Sequence, residues 1–239
     1  APATATAVGL ATGNILVRFA ASSPGTIQGT VPVTGLQAGD SLVGIDFRPA
    51  TGVLYGLASA GRLYTINPGT GAATLASTLS ITPTGTVFGV DFNPVPDRLR
   101  VVSNSGQNLR INVDTGETIN DGAINPAGPQ LAGAAYINAV AGATATALFN
   151  IDAASSSLLL QNPPNDGTQV AIGPLGVAVN ASTGFDVLTS AGNNTPFAAL
   201  NVAGSTGLYT IDLGSGAATL VGPIGGNPTL LGLALSPTA

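Results

Sequence analysis

The sequence predicts an all-β fold, a β-propeller of five blades with about four antiparallel strands in each blade. Two phrases of sequence alternate along the chain, and each returns after roughly 45 to 53 residues, about the length of one four-stranded blade. No window combines the apolar periodicity of an amphipathic helix with capping residues. Six blades stay open as an alternative, because residues 169–201 hold more strand-like sequence than one blade boundary needs.

The first phrase is apolar and predicts the innermost strand of each blade. Innermost strands line the central channel of a propeller, so polar side chains in this phrase are expected to meet at the centre. The five copies are LVGIDFRP (42–49), VFGVDFNP (87–94), LAGAAYIN (131–138), TGFDVLTS (183–190) and LLGLALSP (230–237).

The second phrase predicts hairpins. Runs of about five to eight residues rich in Val, Ile, Leu, Tyr and Thr are typical of strands. Turn residues interrupt these runs, as at Asn67, Pro68 and Gly69, where Asn bonds its own backbone and Gly accepts a positive φ. The copies are RLYTINPGTGAATL (62–75), NLRINVDTGETI (108–119), ALFNIDAASSSLLL (147–160) and GLYTIDLGSGAATL (207–220).

The two ends of the chain predict how the ring closes. The residues before position 42 and those from 230 onward add up to about one more repeat, with three strands at the N-terminus and the innermost strand at the C-terminus. A blade shared between the termini removes open sheet edges. We therefore predict a single domain over residues 1–239, in which residues 1–10 could form an extended N-terminal arm.

The composition excludes several classes of partner. Charged residues make up 7% of the chain, with 6 basic and 11 acidic residues and a net charge of −5, whereas ordinary domains carry roughly 25%. All six basic residues are Arg, and none follows position 110. Phosphate binding needs clustered Lys or Arg, so neither a nucleic acid nor an anionic membrane surface is an expected partner. The uncharged stretch 131–149 follows the repeat and is expected to form strands, without membrane insertion.

The absence of Cys and His restricts the chemistry further. Disulfides, thiolate metal sites, a His-based metal site and a nucleophilic triad with an ordinary base are all unavailable. The Ala-rich start APATATA is typical of a mature secreted chain, so we expect a secreted protein, extracellular or at the cell surface.

Three aspartates occupy the same place in the predicted innermost strands: Asp46, Asp91 and Asp186. Paired carboxylates in a channel could act as acid and base in glycoside hydrolysis. A residue that recurs at one repeat position more often serves the fold, here by accepting hydrogen bonds from turn amides or from arginines such as Arg48, Arg62, Arg98 and Arg100. We therefore assign no catalytic residue and keep the three aspartates as binding candidates.

Calcium is the cofactor that the remaining residue types could hold, because it needs only oxygen ligands. The candidates are Asp114, Glu117 and Asp121, with Asn165 and Asp166 as a second group. Neither group completes a calcium-loop pattern, and the Asn-Asp-Gly sequences at 120–122 and 165–167 are typical of plain turns. The prediction is no cofactor, with calcium as the open alternative.

Three segments resemble a bacterial family of secreted proteins classed only as a domain of unknown function, family 4394. They are GVDFNPVPDRLRVVSNSGQNLRINVDTG (89–116), AAYINAVAGATATALFNID with LLLQNPPNDG (134–167) and GLYTIDLGSGAATLVGPIG (207–225). The resemblance covers most of the chain. It implies an extracellular, propeller-like domain and supplies no catalytic residues.

The charge-poor exterior favours a non-enzymatic structural subunit that self-assembles into a filament or surface layer. Soluble monomers present a surface that is about 25–35% charged, whereas an uncharged surface is covered by its own copies at low desolvation cost. The expected partner is the chain itself, and the expected assembly segment is Ala5, Thr6, Ala7, Val8, Gly9 and Leu10, added as a strand to a neighbour. The alternatives are an adhesin or propeller that binds a surface glycan or protein, and a glycoside hydrolase.

Overall fold

The fold is a five-bladed β-propeller, in agreement with the sequence prediction, and the alternative of six blades is wrong. The computed structural model describes residues 5–237. Each blade is one four-stranded antiparallel sheet, and within residues 5–237 the helical content is a short 3₁₀ turn at Pro164–Asp166.

The strands are numbered in chain order. The first blade contains β20 (Leu230–Pro237), β1 (Ala5–Ala11), β2 (Ile15–Ala20) and β3 (Ser23–Pro32). The second contains β4 (Leu42–Arg48), β5 (Val53–Ala58), β6 (Arg62–Ile66) and β7 (Ala73–Thr78). The third contains β8 (Phe88–Asn93), β9 (Arg98–Ser103), β10 (Asn108–Ile111) and β11 (Thr118–Asn120). The fourth contains β12 (Leu131–Tyr136), β13 (Leu148–Asp152), β14 (Ser157–Gln161) and β15 (Gln169–Pro174). The fifth contains β16 (Thr183–Ser190), β17 (Asn193–Val202), β18 (Ser205–Ile211) and β19 (Ala218–Pro223).

The first blade closes the ring with strands from both ends of the chain. Strand β1 pairs with β20 on one side and with β2 on the other. This corrects the expectation of a free assembly arm, because Ala5, Thr6, Ala7, Val8, Gly9 and Leu10 lie in β1 and have no open edge. Residues 1–4 of the predicted arm lie outside the described residues. The segment is uncharged because it is covered, with Ala7 and Leu10 fully buried.

Five glycines allow the innermost strands to approach closely at the centre of the ring. They are Gly44, Gly89, Gly133, Gly184 and Gly232, and each lies two residues before the position of the recurring aspartate. A Cβ atom on Gly44 would lie 2.3 Å from Cγ2 of Val90, and one on Gly184 would lie 2.5 Å from the backbone nitrogen of Leu233. The channel is nearly closed at this level, where only about 10 Å³ of space remains.

Apolar side chains fill the spaces between neighbouring blades. One cluster joins the first and second blades through Val8, Leu10, Leu42 and Ile45, and another joins the second and third through Leu57 and Phe92. The stretch 131–149 forms β12, a loop and the start of β13 within this packing. Within residues 5–237, no helix has the length and hydrophobicity that crossing a bilayer requires.

The turn between the third and outer strands of a blade packs on the outer strand of the preceding blade. Gly116, in the turn after β10, has a φ of +80°, and a Cβ there would lie 2.0 Å from the carbonyl oxygen of Thr78 in β7. The amide of Ser80 donates a hydrogen bond to the carbonyl of Gly116 over 2.9 Å. These contacts cover one end of an outer strand and leave its middle exposed.

Candidate functional site at the centre of the ring

The structure brings Asp46, Asp91 and Asp186 together at the centre of the propeller. They lie on β4, β8 and β16, and their residues are 5%, 2% and 4% exposed. One oxygen from each carboxyl group lies within 4.8 Å of the others. The repeat places them there because every innermost strand points the same repeat position toward the next blade.

Each aspartate accepts hydrogen bonds from backbone amides of the innermost strands. Asp46 accepts the amide of Phe47 on its own strand and that of Phe92 on β8, each over 2.7 Å. The carboxyl group of Asp46 therefore joins two neighbouring blades through backbone amides. These amides belong to strands, whereas the sequence analysis expected amides of turns.

The other two aspartates repeat the arrangement. Asp91 accepts the amide of Tyr136 on β12 over 2.7 Å. Asp186 accepts the amide of Val187 over 2.5 Å and that of Leu235 on β20 over 2.6 Å. The second of these bonds fastens the closing strand of the ring.

This arrangement explains why three aspartates serve five blades. The equivalent positions in β12 and β20 hold Ala135 and Ala234. The amide that follows each alanine is accepted by an aspartate of the preceding blade, so all five inner-strand amides at this level have a carboxyl acceptor. A buried amide without an acceptor costs free energy, and the three carboxyl groups avoid this cost at every strand.

The carboxyl groups also interact with one another. The carboxyl groups of Asp46 and Asp91 approach each other, with one oxygen of each within 4.8 Å of the other. Burial and the nearby charges of the cluster raise the pKa of Asp46 and of Asp91 well above the usual range. Burial also raises the pKa of Asp186, to about 6, while its two amide bonds oppose the shift.

None of the four candidate arginines binds the central aspartates, which corrects that part of the expectation. Each has another acceptor. Arg48 contacts Asp97 and Asp114, Arg62 contacts Asp40, Arg98 donates to the carbonyls of Pro96 and Asp97, and Arg100 contacts Asp121. The centre is therefore a carboxyl cluster held by amides, without an ion pair.

The predicted calcium candidates are bound by cations of the chain itself. Asp114 accepts Arg48 over 2.7 Å, and Asp121 accepts Arg100 over 2.8 Å and Arg110 over 3.0 Å. Glu117 is exposed. Within residues 5–237, the acidic residues whose ligand atoms converge are the three central aspartates and not this group.

A second buried polar cluster was missed by the sequence analysis. Arg100 is 1% exposed and donates to Asp121, Asn108 and Asn165, the last on the fourth blade over 2.6 Å. Asp121 and Asn165 belong to the two Asn-Asp-Gly sequences that were interpreted as plain turns. The repetition of that tripeptide at 120–122 and 165–167 was the available signal.

A family model matches residues 15–234, and its description is a domain of unknown function, DUF4394. The chain belongs to this family. The predicted family is thereby confirmed, and the DUF4394 match covers four innermost strands in full and residues 230–234 of the fifth. No curated protein matches the chain.

Solved structures resemble the DUF4394 chain at low sequence identity. A structural genomics protein of unknown function from Bacteroides thetaiotaomicron VPI-5482 aligns with a TM-score of 0.55 and 15% identity, over 96% of this chain and 64% of that one. The Dos1 propeller gives a TM-score of 0.46 and 16% identity over 89% and 56% of the two chains. The computationally designed Ika8 protein gives a TM-score of 0.42 and 14% identity over 92% of this chain and 62% of that one. The chain thus spans less than two thirds of the length of these structures, and the first of them supports the fold alone.

The geometry limits what the three aspartates of this DUF4394 chain can do chemically. A cavity of about 200 Å³ at one mouth of the channel reaches Asp46 and Asp186. Both oxygens of each of these carboxyl groups accept an amide, which fixes their orientation and fits a structural role in closing the ring.

Proposed function

We propose that this propeller is an extracellular, non-enzymatic structural protein that self-assembles into a filament or surface layer through the outer strands of its blades. The observation that carries the proposal is that β3, β7, β11, β15 and β19 contain no charged residue. Each of them is the last strand of its sheet, and loops bond to its end, as where the amide of Ala73 in β7 donates to the carbonyl of Thr34.

The outer strands also expose apolar side chains. Leu75 is 42% exposed, Ile119 44%, Val170 47% and Leu220 55%, one on each of four blades. Edge strands of natural monomers are usually protected by charges, by Pro or by covering loops, because an open edge is a template for another chain. Pro32, Pro174 and Pro223 stand at the last positions of β3, β15 and β19, and Pro24 at the second position of β3, so the residues between keep their amides.

The rest of the exterior offers little charge to keep copies apart. Within residues 5–237, four charged residues are exposed, and all four are acidic: Asp114, Glu117, Asp166 and Asp212. They lie in turns between the third and outer strands of their blades. Because the outer strands point outward around the propeller, one subunit can contact neighbours on more than one side. Such contacts produce a polymer when they do not form a closed ring of subunits.

Lysine substitutions on two adjacent edges test the proposal. We expect the wild-type protein to form polymers visible by electron microscopy, and the double variant Val170→Lys/Leu220→Lys to raise the critical concentration by on the order of tenfold or more, equivalent to about 1.4 kcal/mol. The control Thr12→Lys/Ala50→Lys adds the same charge at exposed turn positions and should assemble like the wild type. Circular dichroism checks that all variants are folded.

Dispersed wild-type monomers at high concentration would refute self-assembly. Equal inhibition by the edge and turn variants would show that net charge, and not the outer strands, controls association.

A further inference from the structure

Three buried carboxyl groups converge at the centre of the ring and form no ion pair within residues 5–237, so a proton is needed to limit their repulsion. We propose that Asp91 carries this proton and directs it at Asp46, so that the centre of the propeller is a proton-dependent clasp that is firmest in acid and loosens as the pH rises. The proposal rests on how the six carboxyl oxygens are used.

Five of the six oxygens accept amide hydrogen bonds. Both oxygens of Asp46 and both of Asp186 accept one, as does Oδ2 of Asp91. Oδ1 of Asp91 accepts no amide from the described residues. Two ionised carboxylates cannot hydrogen-bond to each other, since both are acceptors only. A hydrogen bond between Asp46 and Asp91 therefore needs a proton. Oδ1 of Asp91 can carry it, whereas a proton on Asp46 would face an incoming N–H group.

No cation within residues 5–237 forms an ion pair with the cluster. From the strands packed around it, β12 and β20 contribute Ala135 and Ala234 at the same level. Arg48, which lines the same cavity as Asp46, is held by Asp97 and Asp114. Three more titratable groups lie on strands that pack against the cluster: Arg100 on β9, which binds Asp121, Tyr55 on β5 and Tyr136 on β12. Burial raises the pKa of the Tyr136 phenol, which is therefore neutral at these pH values. A shared proton is the remaining way to limit repulsion between three buried carboxyl groups.

The sign of the pH effect follows from the direction of the pKa shifts. Burial raises the pKa of Asp46 and Asp91 well above that of an unfolded aspartate, about 3.9, and raises that of Asp186 to about 6. The folded protein thus holds protons that the unfolded chain releases. The stabilisation is complete below about pH 4 and is lost as the pH rises through the folded pKa values, by up to about tenfold in the folding equilibrium constant per pH unit for each proton.

The composition makes this effect measurable. The chain contains no His and no Cys, so no side chain with an ordinary pKa titrates between about pH 5 and 8. A change of stability in that range reports on the central cluster, and a variant with the same termini controls for the α-amino group.

Urea denaturation of the full chain at pH 4 to 8 tests the clasp. We expect the wild-type midpoint to fall steadily above pH 5. In Asp91→Asn, Oδ1 can keep the amide of Tyr136 while Nδ2 donates permanently to Asp46, so the fold should persist and the pH dependence should shrink to the part that Asp186 contributes. In Asp46→Asn, Nδ2 would face an amide, and the midpoint should be lower at every pH. A flat wild-type profile, or the same slope in Asp91→Asn, would overturn the proposal.

Infrared spectroscopy gives a second measurement that does not depend on how the variants fold. At pH 7 the wild-type protein should show the carbonyl band of a buried protonated carboxyl group, which ordinary surface carboxylates lack at this pH. Absence of that band would also overturn the proposal.

Discussion

The centre of the ring and the contact between the third and fourth blades both hold buried carboxyl groups, and they stabilise them differently. At the centre, Asp46, Asp91 and Asp186 accept backbone amides and touch no cation. Between the blades, Asp121 lies between Arg100 and Arg110, with its side chain 6% exposed. A buried charge needs compensation, and the two regions obtain it from different groups.

The difference gives the two regions opposite responses to pH. Burial pushes the pKa of Asp121 up, but Arg110 and Arg100 together lower it below the ordinary value. A carboxyl group with a lowered folded pKa stabilises the protein above its unfolded pKa, and this contribution is lost as the pH falls through the folded value. The central cluster behaves in the opposite way, so we expect maximal stability near about pH 4, where both contributions are substantial.

Removing the cation between the blades should have the largest effect. Arg100→Met leaves Asp121 buried with Arg110 alone and takes the donor from Asn165, so we expect a loss of about 3–5 kcal/mol in the free energy of unfolding, measured with urea at pH 7. Arg98→Met is the control, because Arg98 donates only to carbonyls and should cost no more than about 0.5 kcal/mol. Equal losses of unfolding free energy in the two variants would contradict the larger role assigned to the buried Arg100.

Removing one acceptor at the centre should have a smaller effect. Asp186→Asn keeps one carbonyl oxygen for two amides, so Val187 or Leu235 loses its partner at a cost of about 1–3 kcal/mol. Hydrogen exchange of the β20 amides should accelerate. The control Asp212→Asn keeps the Oδ1 atom that accepts the amides of Gly214 and Ser215, and its stability should match that of the wild type. Slow β20 exchange in Asp186→Asn would argue against a closing role.

The architecture could be predicted from the sequence because the repeat interval fixes both the length of a blade and the split of the first blade. The same interval placed Asp46, Asp91 and Asp186 in one channel, since innermost strands of a ring converge. Their partners could not be predicted in the same way. Backbone amides have no sequence signature, and the register between blades decides which amide meets which carboxyl group.

Two interpretations failed because local sequence does not report burial. The uncharged, β-prone segment from Ala5 to Leu10 suits an exposed arm and a covered strand equally well, and it is the covered strand β1. Asp121 and Asn165 lie in turn-like tripeptides more than forty residues apart. Only the contact between the third and fourth blades brings both of them to Arg100.

The smallest expected effect lies at the exposed margin of the ion-paired region. Asp114 binds Arg48, which lowers the pKa of its carboxyl group, but its side chain is 61% exposed and solvent screens the pair. We expect Asp114→Asn to lower the free energy of unfolding by about 0.2–1 kcal/mol at pH 7. The difference from the wild type should be smaller at about pH 2 than at pH 7, because protonation of Asp114 below its lowered pKa removes its charge in the wild type as well.

Glu117→Gln is the matched control, since this residue lies in the same turn and its side chain makes no ion pair within residues 5–237. Its stability should follow that of the wild type at both pH values. A loss in Asp114→Asn that persists at low pH would mean that the residue acts through the turn hydrogen bonds and not through its charge. The contrast with the central cluster, which is most stable in acid, would then depend on Asp121 alone.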